Sequence, residues 1–154
     1  LLDRRRVELV DESLPKLPHH HDAQHLPIDE AIALVERVRA SAEKHAAIVL
    51  DALAATVPAI AGIALRQLQP LPPTIAERLQ DYRSRNVADW VMYRQALAAA
   101  AEARGWRVHW FEPKQLALKD LEPHFLRVRK AAGPPWNADH KLAMAAAMSI
   151  INTA

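Results

Sequence analysis

The sequence predicts an α/β domain with a small, mainly parallel sheet flanked by long alanine-rich helices. Three observations carry this expectation. Apolar, β-branched or aromatic runs stand at residues 6–10, 59–65 and 106–111. Long stretches with helical spacing separate them, and such alternation is the mark of a mainly parallel sheet. Finally, 154 residues with 51% apolar and 25% charged side chains suffice for one folded core.

The first strand is expected at Arg6-Val7-Glu8-Leu9-Val10 and closes at Asp11-Glu12-Ser13. Residues 13–27 carry three prolines and four histidines without a period, so they form an irregular connection. A long helix follows from about Asp29, with Asp29 as N-cap and Pro58 as its stop. Its inner face reads Leu34, Val38, Ala42, His45, Val49 and Leu53. The nearly uncharged run Ala59–Leu65 then suits a buried parallel strand.

Thr74-Ile75-Ala76-Glu77 has the spacing of a capping box and opens the next helix. Its inner stripe runs through Ile75, Leu79, Tyr82, Trp90, Tyr93 and Leu97, interrupted at Asn86, where a kink or a junction of two segments is expected. Gly105 ends it as a left-handed cap. Trp106–Phe111 is the clearest strand of the chain. Pro113 and Pro123 mark two short helices reaching Lys130. Residues 133–137 form a break. Asn137 caps a final helix from Ala138 that is apolar nearly all round, which predicts burial.

Composition removes several functions. With no cysteine there is no disulfide framework, Cys-ligated metal or thiol nucleophile. Three glycines cannot build a glycine-rich phosphate loop. Ser13, Ser41, Ser84 and Ser149 sit in no nucleophile-elbow pattern. A net charge of +2 is too small to argue for nucleic acid by itself. No apolar run is long enough for a bilayer and no signal peptide opens the chain, so a cytoplasmic protein without a membrane partner is expected. The chain begins at Leu1, so its natural start is either processed or missing.

Four groups of residues could carry chemistry. His19-His20-His21-Asp22 and His25 have compact metal-ligand chemistry, but a proline-flanked loop is a poor scaffold, and a solvated polar loop is the expected outcome. Asp81, Arg85 and Asp89 are spaced to form a self-neutralising ladder on one solvated face. That leaves Arg83 and Arg94 beside Trp90, able to grip phosphate and stack a base, or simply to surround a core aromatic. Beyond the carboxyl ends of the expected strands stand Asp11 and Glu12, Arg66 and Gln67, and Glu112 and Lys114, the usual ligand position in an open parallel sheet. The fourth group is Trp136-Asn137-Ala138-Asp139-His140-Lys141. Asp139 is expected on the side of its helix that meets the core, as a helix-dipole partner or as a ligand.

Residues 42–115 and 138–150 together resemble the second half of the RNase H-like fold, in its Holliday-junction resolvase (RuvC-like) branch. Ala98 to Lys114 is similar to that branch's helix–strand–acid–proline–base passage, and Ala138 to Ala145 to its final helix, which carries a metal-binding aspartate. The resemblance implies that Asp139 holds Mg²⁺ or Mn²⁺, with Asp11 as a second ligand in a rearranged site. It implies further that His140 positions water and that Arg66 and Lys114 contact phosphate; Arg83, Arg94 and Lys141 stand beside these as further candidate nucleic-acid contacts. Two departures accompany it. The family's opening strands shrink here to residues 4–10, and Leu65-Arg66-Gln67 stands where the central strand should end in a metal-binding glutamate. The expectation is therefore a truncated or degenerate RNase H-like domain that binds or cleaves nucleic acid. The alternative is a non-catalytic protein-interaction or homo-oligomerisation domain, using its alanine-rich helices and Trp136.

Overall fold

Two parallel strands and two long helices form the frame of this chain. The computed structural model describes residues 5–57 and 59–151, with the backbone alone at 151. Helix α1 spans Ile28–Ala54, β1 Gly62–Arg66, α2 Ile75–Gln80, α3 Tyr82–Glu102, β2 Arg107–Phe111, α4 Glu122–Ala132 and α5 Ala138–Ile151. Short 3₁₀ turns at 22–25, 113–115 and 118–121 complete the order. The small α/β architecture is as expected, with a sheet of two parallel strands among the described residues.

Helix α1 begins one residue before Asp29, because Pro27 occupies the capping position and its carbonyl accepts the first helical bond, from the Ala31 amide at 2.9 Å. Pro58, expected as its stop, lies outside the described residues. The buried stripe is Ala31, Val35, Val38, Ala42, Ala46 and Leu50, rotated by about one residue from the expected face. Five of those six positions are alanine or valine, small or β-branched, so α3 can approach closely. Ala96, Ala100 and Ala101 meet Ala42, Ala46 and Leu50 there, with Tyr93, Leu97 and Val108 packed around them. Arg104 locks the far end. Its guanidinium donates to the Asp51 carboxylate at 2.6 and 2.8 Å and to the Ala47 carbonyl at 2.8 Å.

The capping box at Thr74 forms as its spacing requires. Thr74 accepts from the Glu77 amide, and the Glu77 carboxylate accepts from Thr74. The break between segments falls at Asp81 rather than Asn86, because Asp81 is itself an N-cap. It accepts from the Ser84 amide at 2.8 Å, which starts α3 afresh. This new start turns Tyr82 and Trp90 outward, 69% and 55% exposed, where a single helix would have buried them. It also buries Asp89, so the expected solvated ladder of Asp81, Arg85 and Asp89 does not form.

Residues 6–10 are not a strand. They make no ladder pairing among the described residues, because Leu9 and Val10 pack onto α1 and α3 instead. The connection after them is irregular as expected, yet it is not solvated throughout. His19 is 1% exposed and lies against Asp89, also 1% exposed. Asp89 accepts from the His19 ring Nδ1 at 2.8 Å and from the His19 and His20 amides, both at 3.1 Å. Three donors thus satisfy one carboxylate that would otherwise be intolerable inside α3. The Tyr93 hydroxyl adds a second clamp by donating to the Lys16 carbonyl at 2.7 Å.

The strand expected at 59–65 lies at Gly62–Arg66, where β1 pairs with β2 from Gly62↔Arg107 to Arg66↔Phe111. A Cβ on Gly62 would fall on the Arg107 carbonyl, so this position needs glycine for close approach. Gly105 caps α3 at φ 72° as expected. After β2, Phe125 fixes α4 to the body at 1% exposure. Helix α5 is capped by Asn137, which accepts from the His140 amide at 3.2 Å. It is buried only at Ala145 and Ala146, while Asp139, Ala143 and Ala147 are exposed. Its apolar composition therefore does not mark a helix enclosed on every side, and Asp139 does not face the core.

Three outcomes test this packing. Asp89→Ala leaves three buried donors unpaired and should cost about 3 kcal/mol or more in urea unfolding; a loss below about 1 kcal/mol would contradict the clamp. Gly62→Ala should cost about 1–3 kcal/mol, since backbone must shift to admit the methyl group. Burial, with the charges of Asp89 and Glu8 behind it, pushes Tyr93 up from 10.0 to about 12. Because the folded state holds this proton more tightly, its contribution is whole below pH 10 and fades as pH climbs toward 12. Urea midpoints followed across that window should fall more steeply in the parent than in Tyr93→Phe; identical slopes would count against it.

Candidate anion site at the carboxyl ends of the strands

Parallel pairing brings the ends of β1 and β2 to one edge. The Gln67 amide donates to the Phe111 carbonyl at 2.9 Å, so Arg66, Gln67 and Glu112 emerge together. Helix α3 passes beside this edge and contributes Asn86, Trp90 and Arg94 at spacings of four, which places them on one face. Between strand ends and helix lies a cavity of about 430 Å³, walled by Arg66, Gln67, Gln69, Asn86, Trp90 and Arg94, with Val87, Val91 and Glu112 completing it.

Its electrostatics follow from two like charges. Burial, and after it the positive charge of Arg66, holds the Arg94 guanidinium below its ordinary range. The single acid in the wall, Glu112, is exposed and makes no ion pair with either arginine among the described residues. An anion seated between the two guanidinia would relieve their repulsion and accept several charge-assisted hydrogen bonds. Gln67, Gln69 and Asn86 supply neutral donors around it, and Trp90 supplies an exposed aromatic face.

Arg66 and Arg94 are thus brought together. Arg83 is exposed on α3, one turn before Val87 and on the face that leads to Trp90 and Arg94. Lys114 is exposed on the 3₁₀ turn that follows Glu112. Lys141 stands elsewhere, paired with Glu122 at 3.1 Å and lying over the Phe125 ring at 5.4 Å. It lines a second cavity, of about 290 Å³, with Leu126, Arg129 and Trp136.

The acidic candidates are occupied locally. Asp11 accepts from the Ser13 amide and hydroxyl at 2.9 and 2.6 Å, and those bonds hold its carboxyl below the usual range. Asp139 lies exposed in the first turn of α5, where it complements the helix dipole. His140 Nδ1 sits 2.6 Å from the Asn137 side-chain oxygen, and its ring stacks on Trp136. Among the described residues no group of three or more His, Asp or Glu side chains is arranged to hold a metal ion. Two-metal hydrolysis needs several converging carboxylates. The histidine cluster is likewise divided, since His19 faces Asp89 while His21 and His25 are exposed.

Gln69 carries no motif in the sequence, and Asn86 reads there only as an interruption of a helical stripe. The His19–Asp89 pair carries no motif either, although an acid alone within Val87-Ala88-Asp89-Trp90-Val91-Met92 is a signal of a buried partner. Among the described residues no helix is long and apolar enough to cross a membrane. Compared with protein-family models, with curated proteins and with solved structures, the chain matches none of them.

Proposed function

We propose that this domain binds single-stranded nucleic acid at the carboxyl ends of its two parallel strands. The observation that carries the reading is the placing of Arg66 and Arg94 in one cavity beside an exposed tryptophan. Two guanidinia hold backbone phosphates, and Trp90 stacks an adjacent base, a combination that grips a strand without reading its sequence. Arg83, on the α3 face that leads to Trp90, and Lys114, two residues after Glu112, are exposed cations that would add further phosphate contacts. A duplex keeps its bases stacked on one another, so Trp90 favours an unpaired strand. The reading also accords with the RNase H-like resemblance of residues 42–115 and 138–150, with a base, Arg66, at the position where that family places an acid. It is a binding function rather than a cleaving one.

One observation favours a second reading. Leu126 is 54% exposed beside Trp136 in the groove between α4 and α5, an apolar face suited to a protein partner or a second copy of the chain. Leu126→Asp would then abolish association measured by sedimentation without altering nucleic-acid affinity.

The leading reading is tested by fluorescence anisotropy with labelled oligothymidylate and oligouridylate at low salt. The parent should bind with an affinity that falls steeply as salt rises. Arg66→Gln/Arg94→Gln should lose roughly tenfold or more and flatten the logarithmic salt slope by about 1.4, the share of two phosphates on a single strand. Equal binding by parent and double variant, or no binding by the parent, would contradict it.

A further inference from the structure

A third cavity adjoins the one at the strand ends and shares Trp90 and Arg94 with it. It encloses about 330 Å³ and is bounded by Trp90, Tyr93, Arg94 and Leu97 of α3 and by Val7–Val10, Lys16 and Leu17 of the pinned amino-terminal segment. Its lining is mainly apolar and aromatic, the character of a pocket for a flat organic group rather than for an ion. The polar groups at hand are already engaged. The Tyr93 hydroxyl is spent on the Lys16 carbonyl, and Glu8 and Lys16 neutralise each other at 2.7 Å on the rim. That leaves Arg94 as the one cation of the lining without a carboxylate partner among the described residues, and it stands between this apolar cavity and the cationic one.

We infer that the apolar cavity receives one nucleobase of the strand whose phosphate lies at Arg66 and Arg94, so that the domain recognises a phosphate together with its unstacked base. The inference rests on the proposed binding of single strands. Its occupant follows from complementarity: a group anionic at one end and flat and weakly polar at the other matches two cavities that meet at Arg94 and Trp90. A base drawn out of its stack exchanges contact with its neighbours for contact with Trp90, Tyr93, Leu9 and Leu17. The side chains of the wall are mainly apolar, so surface contact rather than a matched hydrogen-bonding edge carries the fit of the base.

Leu17→Gln, read against oligothymidylate and an abasic oligonucleotide of equal length and charge, separates this inference from the Trp90 stacking of the reading beneath it. Direct titration of each onto the full chain at low salt should show the abasic strand bound about tenfold more weakly, with the same salt slope. Leu17→Gln, which places an amide in the apolar wall, should lower thymidylate affinity to the abasic level. Equal affinity for both strands in the parent would overturn the base pocket while leaving backbone binding intact. Binding of neither strand would overturn both. Displacement of the strand by a fatty acid, with no preference between thymidylate and abasic strands, would assign the cavity to acyl anions instead and also overturn the inference.

Discussion

One buried carboxylate organises this molecule. Asp89 sits in the middle of α3, almost wholly removed from water, and is tolerable there because it accepts three hydrogen bonds from His19 and His20. The partners lie 70 and 69 residues away in sequence. The bond therefore does what no local propensity could: it fastens a proline-rich, non-periodic segment onto the central helix. Everything that segment carries follows from this attachment, including Leu9 and Val10 in the core and Leu17 beside Trp90.

The second constraint is close approach. Alanines on α1 and α3 let the helices pack with little between them, and Gly62 lets β1 lie against the Arg107 backbone. With that spacing fixed, the ends of β1 and β2 meet the outward face of α3. The residue next to the buried Asp89 is Trp90, and four beyond it is Arg94. A helix that turns Asp89 inward must turn these two toward its other side, so the feature that stabilises the fold also orients the candidate site.

Much of this is legible in the chain. The strand at 106–111, the capping box at Thr74, the left-handed Gly105 and the Asn137 cap follow from local chemistry, and local chemistry is what a sequence states most directly. The polar strand ends at Arg66 and Glu112 were likewise visible, because the rule for parallel sheets depends on connectivity alone. What was not legible arises from distant partners. Residues 6–10 alternate like a strand but find helices instead of a neighbouring edge. Asp81 interrupts the expected stripe of one helix because its side chain caps another, and this reverses Tyr82 and Trp90. His19 reads as one of several loop histidines until its carboxylate partner is known. Asp139 stands in a polar first turn of an otherwise apolar helix, yet that helix is only partly covered and leaves it in solvent.

The central claim is that one face, where Arg66, Trp90 and Arg94 meet, engages a nucleic-acid strand. Its most direct test is a nuclear magnetic resonance titration of the ¹⁵N-labelled chain with oligothymidylate, following arginine Nε–H and tryptophan indole signals. The account predicts that the Arg66, Arg94 and Trp90 signals shift together and saturate at one strand, while that of Trp136 stays still. Shifts centred on Trp136, or none at the two arginines under saturating strand, would contradict it.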